Sequence, residues 1–98
     1  GINVASSKTM SYFQIKEFEQ LFKDSILYGL DHFDDALDYA MTYSRGQVRE
    51  VIGKFIGMYV NRLTIDMGAE GVASIQRMFE LAYEKGILKQ NISSLIKD

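Results

Sequence analysis

His32 is the chain's single imidazole, and there is no cysteine among the 98 residues. Thiolate nucleophiles, thiolate-bound zinc and disulfides are thereby excluded, and proton transfer near neutral pH falls to one side chain. That histidine stands at the junction of two apolar-periodic segments, where a helix cap or turn residue is expected rather than a general base. Asp34, Asp35 and Asp38 lie close together and have the chemistry to hold a cation or share a proton. Acids at the start of a helical pattern meet the positive end of the helix dipole, however, and no glycine-centred loop accompanies these. Tyr39, Tyr43, Tyr59 and Tyr83 have faces on which a ligand could stack, yet their helical spacing assigns them to core or rim packing. Glycines 46, 53, 57, 68 and 71 are spread along helices and caps and form neither a P-loop nor a dinucleotide fingerprint. Asn91-Ile92-Ser93 has the form of a glycosylation acceptor, without the secretory context that would make it one. No catalytic residue, metal site or cofactor is assigned on these grounds.

The elements that would position these groups are mostly helical. Proline is absent, so no helix is interrupted by a missing amide. Residues 1–5 read as one short strand, with Ile2 and Val4 on one side. A lone strand leaves its edges unpaired, so it must add to strands outside these residues or fray. A first helix is expected from Ser11 or Tyr12 to about Leu30, with Ile15, Phe18, Phe22, Ile26 and Gly29 on one stripe and Ser11 as its cap. A second opens at Phe33, buries Ala36, Leu37, Ala40 and Met41, and stops between Tyr43 and Gly46. The third, Gln47 to Asn61, has the clearest periodicity in Val48, Val51, Ile52, Phe55, Ile56, Tyr59 and Val60, and is expected to form the centre of the core. Gly53 and Gly57 share a face of that helix, and each costs about 1 kcal/mol relative to alanine, which points to close packing of another backbone. An irregular link over Arg62 to Gly68 leads to a fourth helix, Ala69 to Lys85, closed by Gly86 as its left-handed terminator. The tail from Ile87 to Asp98 has material for one amphipathic turn through Ile92, Leu95 and Ile96.

Eleven basic against thirteen acidic residues give a net charge of −2, which argues against a nucleic-acid partner. No apolar run approaches the ~20 residues needed to span a bilayer. The chain opens on Gly1 rather than Met, and the expectation is a segment of a longer protein.

Several stretches carry a family likeness: Ala36-Leu37-Asp38-Tyr39-Ala40, Ser44-Arg45-Gly46, Phe55-Ile56-Gly57-Met58-Tyr59-Val60-Asn61, and Thr64-Ile65-Asp66-Met67-Gly68 followed by Glu70-Gly71. From Gly1 to about Leu88 the chain resembles the C-terminal part of the menaquinone-biosynthesis family of the futalosine pathway, which contains a dihydroxynaphthoate synthase and a chorismate dehydratase. The resemblance implies a two-lobed α/β fold like that of type II periplasmic binding proteins. In it, residues 1–5 would be the return crossing, 11–86 the helical cover of one lobe, and 87–98 a tail without an assigned role. It implies a cytoplasmic lyase acting on cyclic dehypoxanthinyl futalosine without cofactor or metal, with its chemistry in an upstream lobe of the same chain and a small molecule as its partner. Only Gly1, Ile2 and Asn3 would approach that substrate: Gly1 by permitting close backbone approach, Ile2 as an apolar wall, Asn3 as a hydrogen-bonding group. The dehydratase, a non-enzymatic solute-binding protein of the same fold, and a free-standing helical interaction module stand as alternatives.

Overall fold

The computed structural model describes residues 2–96, and all of their regular structure is helical: α1 (Tyr12–Asp31), α2 (Phe33–Met41), α3 (Arg49–Tyr59), α4 (Arg62–Ile65), α5 (Gly68–Glu84) and a 3-10 turn at Ser93–Leu95. There is no strand among the described residues. The expected strand at residues 1–5, and with it the α/β assignment, is therefore corrected. Gly1 lies outside the described residues, and residues 2–5 are exposed chain without a ladder partner. A strand exists only where another strand satisfies its amides, and periodicity in Ile2 and Val4 cannot supply one. The chain divides into two units, one running to Val60 and the other starting at Asn61.

In the first unit, Ser6 organises the approach to α1. Its carbonyl accepts from the amides of Thr9 (3.1 Å) and Met10 (3.0 Å). Ser11 then starts the helix with a reciprocal capping box: its hydroxyl accepts from the Gln14 amide (3.3 Å), and the Gln14 side-chain oxygen accepts from the Ser11 amide (2.8 Å). His32 ends α1 and begins α2. Its amide donates to the Tyr28 carbonyl (2.9 Å), while its own carbonyl accepts from Ala36 (3.0 Å). At Gly29 a β-carbon would sit 3.8 Å from that of Ala36, so α1 and α2 meet there in ordinary contact.

Between α2 and α3 the chain reverses through Ser44–Gln47, with the Gln47 amide donating to the Ser44 carbonyl (3.1 Å). Arg45 (φ 52°) and Gly46 (φ 85°) both take left-handed backbone, the signature of a type I′ turn. Beyond it α3 packs on α2 through Gly53, whose absent β-carbon would lie 3.6 Å from Leu37 Cδ2 and 3.9 Å from Phe33 Cε1. Gly57 differs, since a β-carbon there would meet nothing within 4 Å. The close packing expected at both glycines occurs at one.

Leu37, at 5% exposure, is the one buried hydrophobic side chain among the described residues, and none of them is fully buried. The stripe on α3 is not the centre of a core: Phe55 is 54% exposed and Tyr59 59%. Helical periodicity fixes which face is apolar, but burial needs a second layer against that face. Phe55 and Tyr59 instead pack on each other, ring centres 4.5 Å apart, as do Phe18 and Phe22 on α1 at 6.0 Å.

The second unit is fastened by local backbone chemistry. Asn61 caps α4, its side-chain oxygen accepting from the Leu63 amide (2.9 Å), while the Thr64 hydroxyl accepts from the Asn61 amide (3.2 Å). The link expected to be irregular therefore holds one helical turn. Asp66 Oδ1 accepts from the Gly68 amide (2.8 Å), and Gly68 takes φ 61° to launch α5. At the far end Gly86 (φ 71°) closes a Schellman motif: its amide donates to Tyr83 and that of Ile87 to Ala82, both at 2.9 Å. Asn91 then accepts from the Ser93 amide (3.0 Å) to start the 3-10 turn, and Gln76 on α5 donates to the Ile96 carbonyl (3.0 Å).

Candidate functional site

Two concave surfaces lie on the first unit, both built around the α1–α2 corner. One is an apolar trough of about 240 Å³ lined by Ile26, Gly29 and Leu30 of α1, Phe33 and Ala36 of α2, and Ile56 and Val60 from α3 and its end. Every lining side chain is aliphatic or aromatic or is absent, so the trough has no group able to polarise a bond or move a proton. Its complement is apolar surface.

The other, about 400 Å³, carries the polar groups Ser25, Tyr28, His32, Asp35 and Tyr39, with Gly29 and Ala36 completing its lining. Tyr28 and His32 are neighbours across one helical turn, and their rings stack with centres 4.0 Å apart and planes within 16°. His32 Nδ1 lies 3.0 Å from the Tyr28 carbonyl oxygen, so the ring is oriented by backbone and Nδ1–H donates. Asp31 Oδ2 approaches the same nitrogen at 3.7 Å. This is the cap role expected of His32. Tyr39 and Tyr43 bring their hydroxyls within 3.3 Å, and that hydrogen bond holds the Tyr39 phenol above its ordinary value, with burial adding to it. Tyr39 thus keeps its proton at neutral pH and serves as a neutral hydrogen-bonding group. Both rings are about two-thirds exposed, at the rim rather than in a core.

The acids at the start of α2 have a role beyond the helix dipole. Arg49, in the first turn of α3, bonds Asp38 through Nη1, and its Nη2 reaches Asp34 Oδ1 at 3.1 Å and the Asp34 carbonyl at 3.3 Å. Hydrogen bonding to Asp38, then to Asp34, raises the Arg49 pKa above the ordinary arginine value. This clamp ties the first turn of α3 to residues 11 and 15 positions earlier, in the body and the first turn of α2. Sequence reasoning misses it because no local spacing connects Arg49 to either acid; the turn at Arg45-Gly46, legible as a break, is what brings them together. Among the described residues no group of three or more histidines, aspartates and glutamates is arranged to hold a metal ion.

Of the residues expected to approach a substrate, Gly1 lies outside the described residues. Ile2 and Asn3 are exposed ahead of the Ser6 turn, with Ile2 at 44%, and no polar group converges on them. The residues carrying the family likeness from Asn61 to Gly71 do not gather round a cavity either. Asn61, Thr64 and Asp66 each accept from a backbone amide through a side-chain oxygen, Gly68 takes left-handed backbone, and at Gly71 a β-carbon would come within 2.7 Å of Met67 Cβ. Their chemistry is that of a turn and a helix start.

The menaquinone-biosynthesis family model matches residues 1–84, and the chain belongs to that family. Among curated proteins it is similar to the 1,4-dihydroxy-6-naphthoate synthase of Thermus thermophilus, at 32% identity over 73 residues. That alignment covers 74% of this chain and 27% of the relative, so the matched part amounts to about a quarter of the relative's length. No solved structure gives a significant match. No helix among the described residues is long and apolar enough to cross a membrane.

Proposed function

We propose that the chain is the C-terminal helical part of a menaquinone-biosynthesis lyase that converts cyclic dehypoxanthinyl futalosine to 1,4-dihydroxy-6-naphthoate in the cytoplasm. The observation that carries this reading is the 32% identity to a synthase of that name across 74% of the chain. The part played by these residues is structural. Their one imidazole is engaged in a helix junction and their acids in a clamp or on the surface, so proton abstraction and elimination fall to groups elsewhere in the polypeptide. Residues 1–3 are the contribution offered to the small-molecule substrate, with Asn3 as the hydrogen-bonding group. A net charge of −2 offers no surface for nucleic acid.

The test is to incubate the full-length protein carrying this chain with cyclic dehypoxanthinyl futalosine and follow 1,4-dihydroxy-6-naphthoate. Formation of the naphthoate, with an increase in KM but little change in kcat on Asn3→Ala, is the expected result. Conversion of chorismate instead would move the chain to the dehydratase branch. Binding of either compound without turnover would make it a solute-binding protein, and turnover by residues 1–98 alone would overturn the structural role.

A further inference from the structure

Residues 24–43, the last turns of α1 and the whole of α2, contain five aspartates and no lysine or arginine, in a chain whose net charge is only −2. The α1–α2 corner is therefore strongly negative, and the rest of the sequence is positive on balance. Arg49 neutralises two of those acids, Asp34 and Asp38. Asp31 and Asp35 meet no lysine or arginine among the described residues, and Asp35 lines the polar groove between the two helices with Ser25, Tyr28, His32 and Tyr39. A carboxylate without a counter-ion on a concave surface draws cations to it. The other polar atoms of the groove also suit a donor. His32 Nδ1–H is committed to the Tyr28 carbonyl at 3.0 Å, so in the neutral ring Nε2 is an acceptor. The hydroxyls of Ser25 and Tyr28 have no partner among the described residues and can accept as well. Tyr39 shares its hydroxyl with Tyr43 and offers its ring. Both Tyr28 and Tyr39 are about two-thirds exposed, and an aromatic face attracts a cation within about 6 Å of its centre.

We propose that this groove binds a small aliphatic diamine in its doubly protonated form, with one ammonium group donating to Asp35 and His32 Nε2, the methylene chain along the tyrosine rings, and the second ammonium group in the field of Asp31. The class of ligand follows from the groove's chemistry. An ammonium group has three donors and no acceptor, which matches a surface of acceptors around a carboxylate. A quaternary ammonium would leave those acceptors without a hydrogen, and an anion would be repelled by the aspartates. A bare metal ion would lack ligands, because no three histidines, aspartates and glutamates among the described residues are arranged to hold one. Gly29 and Ala36 complete the lining without polar side chains, and with the rings they give the methylenes an apolar wall. The site needs only α1 and α2 and is independent of the proposed lyase activity.

The experiment is calorimetric titration of the full-length protein with putrescine, the four-carbon diamine, at neutral pH and low ionic strength. Magnesium chloride is the comparison, a cation of the same charge with neither N–H groups nor an apolar chain. Putrescine is expected to bind at least about tenfold more tightly than magnesium, and Asp35→Asn to weaken it by about tenfold or more through loss of a charge-assisted hydrogen bond. Glu80→Gln, which removes the same charge from α5, is expected to leave the affinity unchanged. The absence of binding overturns the proposal. Magnesium bound as tightly, or Asp35→Asn no weaker than Glu80→Gln, overturns it as well, by showing general attraction of cations and no site. Asp35 also stands in the first turn of α2, so a second measurement avoids substitution. Amide exchange at His32, bonded to the Tyr28 carbonyl, and at Ala36, bonded to the His32 carbonyl, should slow by about tenfold at putrescine ten times its Kd, with exchange at Lys85 unchanged. Slowing confined to other segments would place the diamine elsewhere and overturn the assignment of the groove.

Discussion

The two units hold their shape by different means. From Asn61 to Gly86 nearly every decisive contact is between residues two to five apart: the Asn61 box, the Asp66 bond to Gly68, and the Schellman close at Gly86. Up to Val60 the decisive contacts join residues far apart in sequence, with Leu37 under Gly53 and Arg49 on Asp34 and Asp38. Local capping specifies geometry but buries little, and beyond Gly86 the second unit adds a long-range tie, with α5 meeting the 3-10 turn and Gln76 donating to the Ile96 carbonyl. The first unit depends on tertiary packing and, among the described residues, has one buried side chain to supply it.

The largest effect that would break this comparison is expected at Leu37. Leu37→Ala removes the one buried hydrophobic side chain among the described residues and should cost about 2–5 kcal/mol, read by urea denaturation. Phe55→Ala, at a ring half in water and stacked on Tyr59, should cost under about 1.5 kcal/mol. If Phe55→Ala proved the costlier of the two, the core would lie on α3, as the apolar spacing alone suggests.

Next in size is a pair of glycines. Gly71→Ala forces a β-carbon to within 2.7 Å of Met67 Cβ, an atom too near the backbone to swing away, and should destabilise by about 1–3 kcal/mol. Gly57→Ala in residues 1–98 meets open space and should stabilise by up to about 1 kcal/mol through helix propensity. Thermal melts of the two variants should move in opposite directions. Equal shifts would mean that Gly71 is no tighter than Gly57, and the second unit would lose its claim to local constraint.

These contrasts show what the sequence could carry. Ser11, Gly86 and the helical break at His32 are readable because a cap or a left-handed residue acts on amides two to five positions away, within reach of a spacing argument. The apolar faces of α1 and α3 are readable for the same reason. What covers those faces is not, since burial depends on a partner surface that periodicity does not name. Hence periodicity places Phe18 and Phe55 inward, and each is 54% exposed. The strand at residues 1–5 fails similarly: alternation of Ile2 and Val4 indicates a preference, and a ladder requires a second strand. Within the candidate site the position of His32 is legible and the Arg49 clamp is not.

A smaller effect sharpens the account of the second unit. Asn61→Ala removes the side-chain oxygen that the Leu63 amide donates to and should cost about 1 kcal/mol. Because α4 is a single turn, hydrogen exchange at Leu63 and Thr64 should accelerate more than exchange in α5. Uniform acceleration through α5 would mean that the two helices unfold together and that the caps are not independent.

The smallest effect belongs to the Arg49 clamp, the long-range polar link between α2 and α3. Arg49 has its pKa raised by Asp38 and then Asp34, so the contribution of that shift to stability is fully present below the arginine value of the unfolded chain. It is lost only as pH rises through the higher folded value. Both lie far into alkali, and between about pH 6 and 9 the clamp should contribute no slope from Arg49. Salt is the better probe, because Arg49 and both acids are exposed to solvent and screening acts on them directly. Raising the ionic strength from about 0.1 to 1 M shortens the screening length from about 10 to 3 Å, and should weaken the wild type more than Arg49→Gln. A salt response identical in the two proteins would show that the geometry of the α2–α3 pair comes from Leu37 and Gly53 alone, with the clamp following the packing rather than helping to set it.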